Sequence, residues 1–392
     1  MGSAETVDVL VVGGGVIGVA TAWCCAEAGL SVRLLERASL AAEASGRNQG
    51  LVIGPHPPAM AQLAEASLRR YLELHEVSGA AFAFDRDDHG CLLVSEGEGD
   101  AAAIPGAGHA PDDPAPRGDV LVGDALRAVE PQLGRGVRQA VLLPARRVDP
   151  GALVVAMAAS ARRAGADLRT GCEVKDLIVA RDRVLGVLAD DGAHNAATTV
   201  LAAGPWTGRV GRRLPFDVPI DGVRGWVAVT RPAPFRLRHA IEDAGWGAAK
   251  AGLRGPTVAE LATGRHPPPA IAGLLQQDHA GRVLLGASLQ VDAGEHASGD
   301  EALSGVARRA MELVPALAGL PVADVRTCRR PLSADGLPLH GPVPGVEGVV
   351  LACGHGSTGI TWGGGSGEAV ARGIVEDLWD PALMPSRFVA QV

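Results

Sequence analysis

The stretch Gly13-Gly14-Gly15-Val16-Ile17-Gly18 constrains this chain more than any other. It stands between an apolar strand, Val7 to Val12, and a helix-compatible run that leads to a second strand ending at Glu36. In a beta-alpha-beta unit each of those positions has a physical job. Gly13 permits the tight turn, Gly15 leaves room for a pyrophosphate beside the backbone, and Gly18 lets the helix pack closely on the strand. The helix N-terminus then faces the phosphates. Glu36, at the tip of the second strand, is placed to accept both hydroxyls of an adenosine ribose and to repel a 2'-phosphate, which favours FAD or NAD over NADP. Preceding strand, following helix, second strand and terminal acid together separate this unit from a plain glycine turn.

At 392 residues the chain suits about two domains, one of them discontinuous. With 47% hydrophobic and 20% charged residues it reads as a soluble globular protein. Thirty-six Lys and Arg against 44 Asp and Glu leave a net charge of -8, which provides no electrostatic footprint for nucleic acid. Glycines interrupt the apolar start, and Glu5 and Asp8 stand where a signal peptide carries basic residues. No stretch is long enough to span a bilayer, so a cytoplasmic location is expected, with peripheral association to the inner membrane left open. The cysteines at 24, 25, 91, 172, 328 and 353 show no CxxC or zinc spacing. Reduced thiols, most of them buried, and no metal centre are expected.

Along the chain, a turn-rich segment from Ala44 to Gly50 precedes a helical stretch from about Ala59 to Val77, and a strand follows at Cys91 to Val94. A loop rich in Pro, Gly and Asp near 104 to 118 reads as exposed and as a candidate lid. Asp149-Pro150 introduces a helix, Gly151 to Ala164, with proline at its start and Gly165 at its end. Strands are expected at Glu173 to Ala180, Val184 to Ala189, Thr198 to Ala202, Gly225 to Thr230, Arg282 to Gly286 and Gly348 to Ala352, then a helix from about Gly365 to Leu378. This alternation predicts a nucleotide domain assembled from three separated pieces with a sheet-rich domain inserted twice. Ligands in such folds bind beyond the C-terminal ends of the parallel strands.

Several blocks, in matching order over nearly the whole chain, resemble the D-amino-acid oxidase family of FAD-dependent oxidoreductases, of the glycine oxidase, sarcosine oxidase and D-amino-acid dehydrogenase type. They are the opening fingerprint, Ser45-Gly46-Arg47-Asn48, Val148-Asp149-Pro150, Thr199 to Trp206, Arg330 to Pro338 and Gly354-His355-Gly356-Ser357-Thr358-Gly359-Ile360-Thr361. The tail, with Gly365-Ser366-Gly367 after it, is similar to D-amino-acid dehydrogenase, while Ser-Gly-Arg-Asn is similar to the flavin subunit of heteromeric sarcosine oxidase. The middle insertions, which would define the substrate, match poorly.

The resemblance implies an α/β FAD-binding Rossmann-like domain over 1–82, 140–216 and 326–392. It also implies an α+β substrate domain with a mainly antiparallel sheet over 83–139 and 217–325. Implied FAD contacts near the start are Gly13, Gly15, Val16, Ile17, Gly18, Glu36 and Arg37, followed by Ser45, Arg47, Asn48, Gln49 and Gly50. Further along they are Val174, Ala203, Gly204 and Trp206, then Gly354, His355, Gly356, Ser357, Thr358, Gly359 and Thr361. The implied reaction is oxidation of the C–N bond of an amino acid or secondary amine bearing a carboxylate, by hydride transfer to flavin N5, giving an imine that hydrolyses. The loop from Gly354 leads into a helix whose N–H groups and dipole can stabilise negative charge on the reduced ring.

Arg330 stands where the family places an arginine that clamps the substrate carboxylate. The rival readings are an ion pair with Asp335 and a clamp at neighbouring Arg329 instead. His355 either touches the flavin and assists deprotonation, or packs to order its loop. Cys328 is spaced from Asp335 as in monomeric sarcosine oxidase, where the equivalent cysteine carries flavin covalently, yet Arg330 and Pro331 replace the tyrosine and threonine that follow it there. Non-covalent FAD is therefore expected. Tyr71, the sole tyrosine, lies in the first helical third and is not expected to contact substrate. Lys250, the only lysine of the inserted domain, is either a promoter of oxygen reaction or a solvated surface charge.

Electrons leave to oxygen, a quinone or a partner subunit, since the chain has no iron-sulfur motif. A flavin subunit of a heteromeric amine, opine or sarcosine oxidoreductase is the second expectation. A tRNA-modifying FAD oxidoreductase is the third, against which the acidic charge argues. A plain NAD dehydrogenase leaves the tail glycines unexplained.

Overall fold

A computed structural model describes residues 6–54, 56–85, 87, 89–97, 120–244, 246, 262, 267–291 and 299–389. The expected lid loop near 104 to 118 and Lys250 lie outside the described residues.

The chain opens with β1 (Val7–Val12), α1 (Val16–Glu27) and β2 (Val32–Glu36), then a short helix α2 (Ala44–Arg47), β3 (Leu51–Ile53) and a long helix α3 (Pro58–Val77). Next come β4 (Cys91–Ser95), β5 (Val120–Val122), α4 (Gly123–Val129), β6 (Gln139–Leu143) and β7 (Ala145–Arg147). Helix α5 (Pro150–Arg163) has Asp149 as its N-cap, whose side chain accepts from the Ala152 N–H at 2.9 Å. After it run β8 (Asp167–Thr170), β9 (Val174–Ala180), β10 (Arg183–Ala189), β11 (Gly192–Leu201) and α6 (Thr207–Val210). The second half holds β12 (Ile220–Pro232), β13 (Ala240–Asp243), β14 (Ala270–Gln277), β15 (Arg282–Val291), α7 (Asp300–Leu313), β16 (Val322–Ser333), β17 (Leu339–Pro342), β18 (Val349–Cys353) and α8 (Gly359–Glu376).

The first sheet has the order β17-β18-β11-β1-β2-β8, with the β9–β10 hairpin paired to β11. Its central pairs are parallel. A parallel sheet needs cover on both faces, and β1 shows why its sequence is an unbroken apolar run. Val9 and Val11 pack with Val19 of α1 and Leu153 of α5, whereas Leu10 and Val12 pack with Leu177 and Val187 of the hairpin.

The second sheet has the order β16-β12-β15-β14-β13-β4-β6-β5 and is antiparallel except where β13 joins β4. Its strands alternate between two environments. Ile241 packs in a core with Leu275 and with Val306 and Leu313 of α7, while the next residue, Glu242, lines the central cavity.

Helix α8 begins six residues before the sequence-based expectation of Gly365. Its glycines are poor helix formers in isolation, but here they are contact surfaces. A β-carbon on Gly365 would lie 2.2 Å from the Leu63 carbonyl oxygen of α3, and one on Gly367 would lie 2.5 Å from the Ala20 backbone of α1. Tertiary contact overrides propensity at that crossing. The segment expected to be turn-rich after Ala44 contains one helical turn, α2, closed by Asn48, whose amide donates to the carbonyls of Ala44 at 2.8 Å and Ser45 at 3.0 Å.

Candidate cofactor and substrate site

A cavity of about 290 Å³ runs between the two sheets, lined at one end by Glu36 and at the other by Arg330. It collects residues from the first 50 and the last 65 positions of the described chain, so distant segments meet around one space. Among the expected site residues, Gly18 and Gly354 do not line it. A β-carbon on Gly18 would lie 1.9 Å from the Gly13 carbonyl oxygen, so that glycine sets the α1–β1 approach beneath the turn. Gly354, at φ 82°, faces Ile220, Leu339 and Ser333.

At the glycine turn, Gly13 has φ 115°, and a β-carbon there would lie 2.5 Å from the Ala202 carbonyl oxygen. Ser45 Oγ accepts the Val16 N–H at 2.9 Å, covering the first turn of α1. The Glu36 carboxylate accepts the N–H groups of Gly14 at 2.7 Å and Ala38 at 2.8 Å, which hold it at the mouth of the turn. Arg37 lies over the Trp206 ring at 4.0 Å and contacts Glu43 at 3.3 Å, forming a wall that continues to Ala203 and Gly204. Val174 lines the same end.

The end of α2 and the segment after it are tied to the second sheet. Arg47 donates to the Thr327 carbonyl at 3.1 Å, and Gln49 donates to the Leu274 carbonyl at 2.7 Å. Gly50, at φ 70°, packs where a β-carbon would meet the Val148 carbonyl oxygen at 2.0 Å.

At the opposite end the loop from His355 to Thr361 is fastened to β16, where the Gly356 N–H donates to the Pro331 carbonyl at 2.8 Å. His355 is buried. Its Nε2 lies 3.1 Å from His340 Nε2 and 2.9 Å from Ser366 Oγ. Burial, with His340 beside it, holds the His355 imidazole well below its ordinary range, so it is neutral. Helix α8 starts at Gly359, and its first N–H groups, which have no intrahelical carbonyl, belong to residues that line the cavity. Ser357, Thr358 and Thr361 line it too.

Arg330 extends from β16 into the cavity, and its Nη1 donates to the Ser288 carbonyl at 3.0 Å. Asp335 pairs with Arg387 at 2.7 Å instead, so the alternative of an Arg330–Asp335 pair does not form. Strand alternation turns Arg329 to the other face, where it packs on Gly222. Gly225 has no signal in the sequence, yet a β-carbon there would fall 1.7 Å from Arg330 Nη1. Glycine at that register is what leaves space for the guanidinium. Trp246, Leu274, Ala287 and the carboxyl group of Glu242 complete the wall. These too escaped sequence reasoning, since they sit in ordinary strand patterns or beyond them. Cys328 lines the cavity nearly buried, and that burial pushes its thiol up. Tyr71 is fully buried outside the cavity.

The FAD dependent oxidoreductase family, DAO, matches residues 8–372, and the chain belongs to it. A glycine oxidase of Pseudomonas putida is 30% identical over 360 residues, 90% of either chain. The hydrogen cyanide synthase subunit HcnC of Pseudomonas aeruginosa is 26% identical over 437 residues, 97% of this chain and 95% of that one. Among solved structures, glycine oxidase from Bacillus cereus superposes with a TM-score of 0.79 at 24% identity, covering 96% and 97% of the two chains. Iminodiacetate oxidase from Chelativorans superposes at 0.73 with 20% identity over 96% and 98%. At those identities the superpositions speak for the fold alone.

The residues present fit FAD, the cofactor of this family. The glycine turn Gly13 to Gly15 borders the cavity with its bare backbone, a carboxylate closes the second strand, and one continuous cavity joins them to the α8 N-terminus. No helix among the described residues is long and apolar enough to cross a membrane.

Proposed function

We propose that this FAD-dependent oxidoreductase oxidises the C–N bond of a small amino acid or secondary amine that carries a carboxylate. FAD, when bound, supplies the two-electron acceptor that takes the hydride at N5. The carrying observation is the Arg330 guanidinium, held by the Ser288 carbonyl in a slot opened by Gly225, inside the cavity that also holds the His355–Thr361 loop.

Arg330 binds the carboxylate bidentately and so orients the α-carbon. Leu274, Ala287 and Trp246 exclude water on the substrate side and favour the uncharged amine, whose proton passes to solvent. Hydride leaves the α-carbon, a C=N bond forms, and water hydrolyses the imine to a 2-oxo acid plus ammonia, or plus an amine where the substrate is a secondary amine. Neutral His355 packs behind the α8 terminus and positions that loop. Similarity to the glycine oxidase of Pseudomonas putida supports a glycine-sized substrate. On domain division, we propose that the cofactor and substrate units follow the two sheets. That assigns β6 and all of β16 to the substrate unit and leaves the remaining boundaries as expected.

The test is anaerobic bleaching of the flavin band by an amine panel. Glycine, sarcosine and D-alanine should bleach it and methylamine should not. Equal bleaching by methylamine would remove the carboxylate requirement. The similarity to HcnC, itself a subunit, supports a second reading, a flavin chain that needs a partner. Full turnover of the purified chain with oxygen alone excludes that reading.

A further inference from the structure

Cys172, Asp191 and His194 converge at the edge of the first sheet, and neither the cofactor reading nor the substrate reading uses them as a group. Cys172 lies between β8 and β9, Asp191 in the turn between β10 and β11, and His194 on β11 opposite Val187. Asp191 Oδ1 is 3.1 Å from Cys172 Sγ and 2.7 Å from His194 Nε2, and the three donor atoms all lie within 4.8 Å of one another. The thiol and the imidazole are buried, while the carboxylate is exposed.

The two loops are fixed before any ligand arrives. The Asp190 N–H donates to the Glu173 carbonyl at 3.1 Å, and the Glu173 N–H returns to Asp190 Oδ2 at 3.0 Å. The order of groups is wrong for a nucleophilic thiol, because the carboxylate oxygen, not the imidazole, stands against the sulfur. One sulfur, one imidazole nitrogen and one carboxylate oxygen form a zinc-type donor set. Ideal tetrahedral ligation spaces a carboxylate oxygen about 3.3 Å from an imidazole nitrogen and about 3.5 Å from a thiolate. The contacts here need to open by roughly half an ångström, which the exposed Asp191 side chain can supply.

We propose that Cys172, Asp191 and His194 form a three-ligand site for a zinc-type divalent cation, with water as the fourth ligand on the solvent side of Asp191. Binding forms the metal–sulfur bond and displaces the thiol proton to solvent. The cation clips the β8–β9 connection to the β10–β11 turn beside the nucleotide end, where the Cys172 N–H donates to the Glu36 carbonyl at 2.9 Å. No spacing rule finds such a site, since its thiol comes from the β8–β9 connection and its other two ligands from the β10–β11 turn and β11 rather than from one motif.

The test uses the full-length holoenzyme, stripped with a chelator and titrated with zinc chloride. Calorimetry should show one zinc per chain, X-ray absorption at the zinc edge should show one sulfur neighbour, and zinc should raise the melting midpoint. Cys172→Ser should lose the sulfur signal and the zinc-dependent rise, and Asp191→Asn, at an exposed position that leaves the fold intact, should lose the rise. Absence of saturable stoichiometric binding, or binding that both variants retain unchanged, overturns the proposal.

Discussion

Arg330 occupies the volume that a side chain on Gly225 would fill: Nη1 is 1.7 Å from the β-carbon position of that glycine. The guanidinium and the glycine are therefore one device on neighbouring strands, β16 and β12. Gly225→Ala should push the guanidinium out of its slot and raise KM for carboxylate substrates, with the far-ultraviolet circular dichroism unchanged. A KM equal to that of the parent would show that the clamp does not depend on this slot.

Removing the charge should cost more than displacing it. A charge-assisted hydrogen bond contributes about 1.5–3 kcal/mol, so Arg330→Ala should lower kcat/KM for glycine-like substrates roughly 10- to 150-fold. Arg330→Lys should recover only part of that loss, because an ammonium cannot bind a carboxylate bidentately. Steady-state kinetics on the three proteins decide it, and an unchanged KM in the alanine variant removes the clamp assignment.

Tyr71 holds the start of α8 from a distance. Its hydroxyl donates to the Ile360 carbonyl at 2.7 Å and accepts the Gly364 N–H at 3.1 Å, bridging one step of the helical ladder. Beside it, Ser67 Oγ accepts the Gly365 N–H at 2.8 Å. Tyr71→Phe strands buried backbone groups, and its expected destabilisation is about 1–3 kcal/mol. A lower urea midpoint at constant slope would show it; an unchanged midpoint would mean that the ladder closes without the hydroxyl.

The first strand, the glycine turn and Glu36 were legible because their information is local: a buried parallel strand is apolar throughout, and a turn at positive φ demands glycine. Arg330 was legible through its block but its alternatives were not, since choosing it over Arg329 requires knowing which strand face looks inward. Gly225, Glu242 and Trp246 carry no local mark at all. Gly225 and Glu242 take their meaning from pairing across the second sheet with Cys328 and Leu93, each more than a hundred positions away, and Trp246 from the cavity wall it joins. Helix α8 was placed too late because the low helical propensity of glycine is a local fact, whereas its contact with Leu63 and Ala20 is not.

Acid should destabilise the fold through its buried and half-buried histidines. Burial lowers His340 to about 3 and His56 and His89 to about 4, and takes His355 well below its usual range. A histidine with an unfolded value of about 6.5 and a depressed folded value binds its proton more readily when unfolded. Its contribution is complete above about pH 6.5 and is lost progressively as pH falls toward the folded value. Urea unfolding between pH 7 and about 4.5 should therefore show falling stability before the carboxylates titrate. His340→Asn should reduce that slope by about one proton. A pH-independent midpoint over this window would contradict the neutral assignment of the pair.

The attachment of the cofactor turns on Cys328. A thiol forms a covalent link as its thiolate, and burial works against that form here even with Arg330 nearby to favour it. Arg330, two residues along from Cys328, is committed to the Ser288 carbonyl. Non-covalent FAD is the expected outcome. Acid precipitation of the holoenzyme should leave a colourless pellet and a yellow supernatant, and Cys328→Ser should retain the flavin spectrum. A yellow pellet that turns colourless in the serine variant would establish a thioether link at this position instead.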